Sequence, residues 1–265
     1  MPITVISGMF AVVFYLLGSI FQGQNVAGHR NNRSQVLTLG FIAAFAHALS
    51  AYGVIKTATG YHFGIVQIST LIAVSISLLA LVSSLRKPLE NLFLGLFPLA
   101  ILSIIGSLTI SSSFPPVAMD TGLAIHVLLS ILAYSLITIA ALQAGFLAFQ
   151  NYQLKHHNAT GMISRFPPLQ DMEVFLFELL WVGELFLSLG ILAGFFFVDN
   201  IWSYHGMVHK TFFSILAWFV FAALLWGRHR LGWRGKTAIR FTVTGFVFLL
   251  LGFYGSKFAL EYVFN

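Results

Sequence analysis

The residues best suited to chemistry in this sequence are two histidines. His126 lies in TGLAIHVLLSILAYSLITIAALQAGFLAF (121–149), and His47 lies in FIAAFAHALSAYG (41–53). An imidazole set that deep in an apolar run must face protein, a cavity or a ligand rather than lipid. At helical spacing Ser130, Ala133, Ala140 and Ala144 share the His126 face, and Ala43, Ala44, Ser50 and Ala51 surround His47. Such small residues let a neighbouring helix, or something flat, come close to the backbone. Each ring therefore has two readings. It is a hydrogen-bonded tie between helices, or it is an axial ligand to haem iron, which neutral imidazole binds well in apolar surroundings.

Two acids stand out as well. Glu178 and Glu184 fall inside VFLFELLWVGELFLSLGILAGFFF (174–197), where a charge costs at least about 2.5 kcal/mol on insertion scales. Each calls for an interhelical hydrogen bond, a histidine partner or a wet cavity that carries protons. Six residues apart, they sit about 120° apart around a helix and need not share a partner. Gly183, Gly190 and Gly194 form a neighbouring stripe suited to tight packing. His205 and His209 in WSYHGMVHK have the i, i+4 spacing of metal ligands. Gly206 interrupts that helix and no third ligand is evident. The other reading is a pair of interfacial histidines beside Trp202 and Tyr204. His156, His157 and His229 lie among basic residues and suit the surface.

The elements that must position these side chains are membrane helices. The 265 residues are 58% hydrophobic and 8% charged, against roughly a quarter charged in soluble domains. The expected fold is all-α and polytopic, with eight spans at about 3–21, 35–55, 63–85, 91–111, 121–149, 172–198, 209–227 and 238–262. The N-terminal run is read as the first span rather than a cleaved signal. Residues 1–265 are read as a single transmembrane domain. The connecting segments are short, so no soluble domain is expected between the spans. Pro167 and Pro168 close the longest loop, 151–170.

Eleven of the 14 basic residues fall in alternate loops: Arg30 and Arg33, Arg86 and Lys87, Lys155 and Arg165, then Arg228, Arg230, Arg234, Lys236 and Arg240. That bias predicts cytoplasmic loops 1, 3, 5 and 7, with both termini outside. His126 then lies toward the outer side. The net charge of +6 is thus a topology signal and not a nucleic-acid footprint. With no cysteine, disulfides, thiolate metal sites and covalent haem attachment to this chain are excluded.

These motifs, in this order, resemble the cytochrome c assembly membrane proteins of CcsA, CcmC and HemX type. FAHALSAYGVIKTATGYHFGIVQISTLIAV is similar to their early segment, where His47 matches a transmembrane haem ligand. LAIHVLLSILAYSLITIAAL is similar to their histidine–tyrosine helix, so that His126 matches an external haem ligand, with Tyr134 following. IWSYHGMVHKTFFSILAWFVFA resembles the end of their tryptophan-rich external segment, with Trp202, Lys210, Thr211 and Trp218 at matching positions. NYQLK, PPL, LSILAWFVF, LLWG, GWRG and the late GFYGS further resemble the YpjD branch, over nearly the whole chain.

Departures from the pattern limit what the resemblance implies. Val208 and His209 replace the aspartate and proline before Lys210. The second transmembrane histidine falls at about Trp226, and the second external one near Phe264. One member of each histidine pair remains, so complete bis-histidine sites and cytochrome c synthetase activity are not implied. The expected function is a bacterial inner-membrane protein, not an enzyme, that binds or traffics non-covalent haem b through His47 or His126. Its implied partners are the bilayer, haem, and cytochrome-assembly or other inner-membrane proteins. Two other readings stay open: an accessory to a proton- or ion-coupled transporter using Glu178 and Glu184, and a structural or regulatory partner without cofactor.

Overall fold

In lipid a chain must satisfy its own backbone polar groups, and for long apolar runs the helix does so. The structure, a computed structural model, describes residues 2–28, 32–112, 115–156, 167–197 and 205–258, with side chains from Ile3 and, in the last stretch, from His209. It contains α1 (Pro2–Ala27), α2 (Arg33–Ile55), β1 (Lys56–Thr57), β2 (Gly60–Tyr61), α3 (Ile65–Ser84), α4 (Phe93–Thr109), α5 (Thr121–Lys155), α6 (Leu169–Phe197), α7 (His205–Leu231), α8 (Lys236–Leu250) and α9 (Ser256–Phe258). A 3-10 turn, Glu90–Leu92, precedes α4, and a π-helical turn, Leu251–Gly255, joins α8 to α9. Eight helical segments among the described residues are long and apolar enough to cross a membrane, the last running from Lys236 to Phe258. The expected all-α polytopic class is thus what forms.

The chain divides into two compact units. Unit 1 comprises residues 1–118 with 153–167, and unit 2 comprises residues 119–152 with 168–265.

In unit 1, α1 runs six residues beyond the expected span. The extra turn is polar, and its side chains find partners. The Gln22 amide donates to Asn91 Oδ1 (3.2 Å), and the Asn25 amide donates to Gln22 Oε1 (3.3 Å). Gly28, at φ +90°, then ends the helix, its N–H donating to the Gln24 carbonyl. Phe97 of α4 wedges against glycines on two helices. A Cβ at Gly18 would stand 2.9 Å from its ring, and one at Gly40 would stand 3.0 Å away. Arg33 ties the start of α2 to Glu90 (2.5 Å) and to the Ser84 carbonyl (2.7 Å). The two short strands pair antiparallel, and Tyr61 bridges to Val117.

In unit 2, α5 and α6 are antiparallel and packed through glycine. Cβ atoms built on Gly122, Gly183 and Gly190 would meet Phe197 (2.7 Å), Ile137 (2.9 Å) and Ser130 (3.4 Å) respectively. The small-residue stripe of α6 is therefore the surface on which α5 lies. On α8, a Cβ at Gly245 would stand 2.5 Å from the Phe221 ring of α7.

Candidate functional site

His126 lies at the end of the α5–α6 seam. Its Nδ1 is 2.9 Å from the Gly190 carbonyl, and its ring rests on Gly194, where a Cβ would be 3.0 Å from Cε1. A carbonyl only accepts, so Nδ1 carries the proton and Nε2 keeps the lone pair. Among the described residues Nε2 has no hydrogen-bond partner, and the side chain is half-buried. A ring held by one nitrogen with the other free is the arrangement of ligating histidines.

Unit 2 gathers further groups around this end. Lys210 of α7 lies in electrostatic range of His126. Its Nζ sits 5.4 Å from the centre of the Phe253 ring. The π-helical turn carries Phe253, which also packs on Tyr134 with ring centres 5.3 Å apart. Single π turns inside helices are frequent at functional sites. Tyr134 itself is buried, its hydroxyl donating to the Leu249 carbonyl. Trp218 donates from Nε1 to Ser188 Oγ (2.8 Å). Tyr134 and Trp218 thus tie helices together below the His126 end.

His47 belongs to unit 1, so the two histidines are in different units. The face of small residues around it is closed. The ring is 0% exposed, and Ala43, Ala44 and Ala51 are no more than 1% exposed. Nε2 lies 2.8 Å from Thr70 Oγ1, and the Tyr15 hydroxyl faces Nδ1 at 3.5 Å. The Tyr15 ring stands edge-on to the imidazole, with centres 5.9 Å apart. Small neighbours here brought helices together instead of leaving a slot. A porphyrin could reach either nitrogen only by parting α1, α2 and α3, so His47 does not fit a ligating role in this arrangement. At His126, by contrast, Nε2 keeps no hydrogen-bond partner among the described residues.

Glu184 is buried, and neither carboxyl oxygen has a hydrogen-bond partner among the described residues. Glu178 is exposed, so the two acids face different surroundings. The pattern of the sequence gave no hint of Glu173, one turn into α6. It is buried and receives Arg228 Nη1 (2.8 Å), Arg234 Nε (3.0 Å) and the Gly235 N–H (3.2 Å). Arg228 also lies over the Phe177 ring at 4.5 Å. The chain makes this possible at GWRG. Gly232 and Gly235 take positive φ, and Trp233 folds back on Gly227. Glu173 and Gly194 are 21 residues apart on α6, about 30 Å of helix. The basic network and His126 thus mark opposite ends of a bilayer-length element.

His209 is exposed, and no group of three His, Cys, Asp or Glu among the described residues could hold a metal ion. The His205 side chain and Trp202 lie outside what is described.

Comparison with known proteins gives one family. The model described as cytochrome C assembly protein matches residues 36–263. The inner membrane protein YpjD of Escherichia coli is 36% identical over 142 residues, 54% of this chain and 53% of that protein. The chain therefore aligns with about half the length of that relative. A 28.8 kDa protein of Azospirillum brasilense is 26% identical over 97% of both chains. The cytochrome c biogenesis protein CcsA of Prochlorococcus marinus is 24% identical over 57% of this chain and 55% of its own. No solved structure matches. With eight membrane-length helices and an inner-membrane relative, this is a multi-pass inner-membrane protein.

Proposed function

Because the chain belongs to the cytochrome c assembly protein family, we propose that it binds haem b non-covalently at the His126 end of unit 2 and hands it on during cytochrome assembly. Haem is the cargo here, and the reading is one of binding and transfer rather than bond-making. The observation that carries it is the orientation of His126: Nδ1 is held by the Gly190 carbonyl and Nε2 is left without a partner among the described residues. An imidazole so fixed pays little to reorient when it meets iron. The basic loops, read as cytoplasmic, put this end on the outer side. Partners in hand-over are then other inner-membrane assembly proteins.

The resemblance also matched His47 to a ligand. The contacts with Thr70 and Tyr15 favour a structural role for it in this chain. Absorption spectra of the detergent-purified protein titrated with haem test the reading. The wild type and His47→Asn should each give a saturable, red-shifted Soret band, and His126→Ala should not. A spectrum unaffected by His126→Ala but lost in His47→Asn would reverse the assignment.

A further inference from the structure

The Lys210 ammonium is a charge of unit 2 that the fold alone does not explain. It is half-buried and forms no ion pair or hydrogen bond with a described residue. It lies over the face of Phe253 at 5.4 Å and close enough to His126 to interact with it electrostatically. A half-buried cation whose close partner among the described residues is an aromatic face has room for an anion. Its backbone is fixed as well. The Lys210 carbonyl would stand 3.3 Å from a Cβ at Gly252, in the π-helical turn, so α7 and that turn pack at backbone distance here. The start of α7 is thereby seated on the π-helical turn, with its cation in electrostatic range of the imidazole.

We propose that Lys210 binds a propionate carboxylate of the porphyrin whose iron His126 ligates, so that the site selects a metal macrocycle bearing acidic side chains. This rests on the haem reading given above. The ammonium donates a charge-assisted hydrogen bond to the carboxylate, and the Phe253 ring keeps the pair from bulk water. The site then distinguishes haem from neutral macrocycles of the same shape, a selection that iron ligation alone does not make.

The experiment titrates the full-length protein in detergent with haem b and with haem b dimethyl ester, whose propionates carry no charge. Both are read by the Soret band in wild type, Lys210→Met, Lys210→Arg and His126→Ala. Wild type should prefer the diacid by roughly ten-fold or more, the scale of one charge-assisted hydrogen bond. Lys210→Met should lower diacid affinity to that of the ester and leave ester affinity unchanged, which also shows that the variant is folded. Lys210→Arg should keep most of the preference. A diacid-to-ester ratio that Lys210→Met does not move overturns this proposal alone, because His126→Ala would still abolish both titrations. That result would leave Lys210 reaching a lipid head-group phosphate instead. Absence of binding by either macrocycle to wild type overturns the haem reading and this inference together.

Discussion

Gly194→Ala should uncouple haem binding from stability. A methyl group built at Gly194 lies 3.0 Å from His126 Cε1 and 3.2 Å from Nδ1. Carbon atoms prefer about 3.5–4.0 Å, so the ring must withdraw by roughly half an ångström. Withdrawal lengthens the 2.9 Å bond from Nδ1 to Gly190 toward the limit of hydrogen bonding. About 1 kcal/mol of that bond is at stake, with about 1–3 kcal/mol from overpacking. The gain in helix propensity from Gly to Ala, about 1 kcal/mol, offsets part of this. Folding stability should therefore fall by about 1–3 kcal/mol. The misdirected Nε2 should weaken haem binding about ten-fold, the equivalent of roughly 1.4 kcal/mol. Gly145→Ala is the control, since nothing lies within 4 Å of its added carbon; it should change stability by no more than about 1 kcal/mol and haem affinity not at all. Thermal melts in detergent and Soret titrations of both variants give the comparison. Wild-type haem affinity in Gly194→Ala would refute the argument that the seat of the ring sets the direction of Nε2.

Three other perturbations have defined outcomes. His47→Ala removes the partner of Thr70 and Tyr15 and opens a cavity, so stability should drop by about 2–4 kcal/mol; a melt within 1 °C of wild type would show that those contacts are not structural. Glu173→Ala leaves the Gly235 amide without its acceptor and Arg228 with only the Trp233 carbonyl among the described residues. Because Arg234 is more than half exposed, the expected loss is about 2 kcal/mol rather than the full value of a buried pair; proteolysis at 232–236 should accelerate, and unchanged cleavage would contradict it. Glu184→Leu replaces a buried carboxyl whose oxygens have no partner, so it should be neutral or stabilising by about 1–2 kcal/mol. A large destabilisation, or proton flux in proteoliposomes that this variant abolishes, would favour the transport reading.

The eight spans were legible because each is a long apolar run bounded by charge or proline, and lipid leaves the helix as the available solution. Their ends were less so. Gln22 and Asn25 look like loop residues until Asn91, some seventy positions away, supplies a partner. The stripe of Gly183, Gly190 and Gly194 was readable as a packing face. That it carries the His126 ring was not, since the pairing depends on the antiparallel register of α5 and α6. At His47 the small neighbours Ala43, Ala44, Ser50 and Ala51 suit a close helix and a flat group equally, and the sequence does not choose between them; here α1 and α3 closed on the ring. Glu173 was hidden because its cations lie 55 and 61 residues along the chain, reached through two positive-φ glycines. Division into two units is not marked by a linker in the sequence, since α5 runs from one into the other.

Ligation by His126 can be tested by removing the ring and returning it. His126→Gly opens a gap on Gly194, which free imidazole has the shape to fill. Haem added to this variant should give a weak, blue-shifted Soret band, and millimolar imidazole should restore the wild-type spectrum, with no such response in His47→Gly. A wild-type spectrum in His126→Gly before any imidazole is added would contradict haem ligation at this end of unit 2.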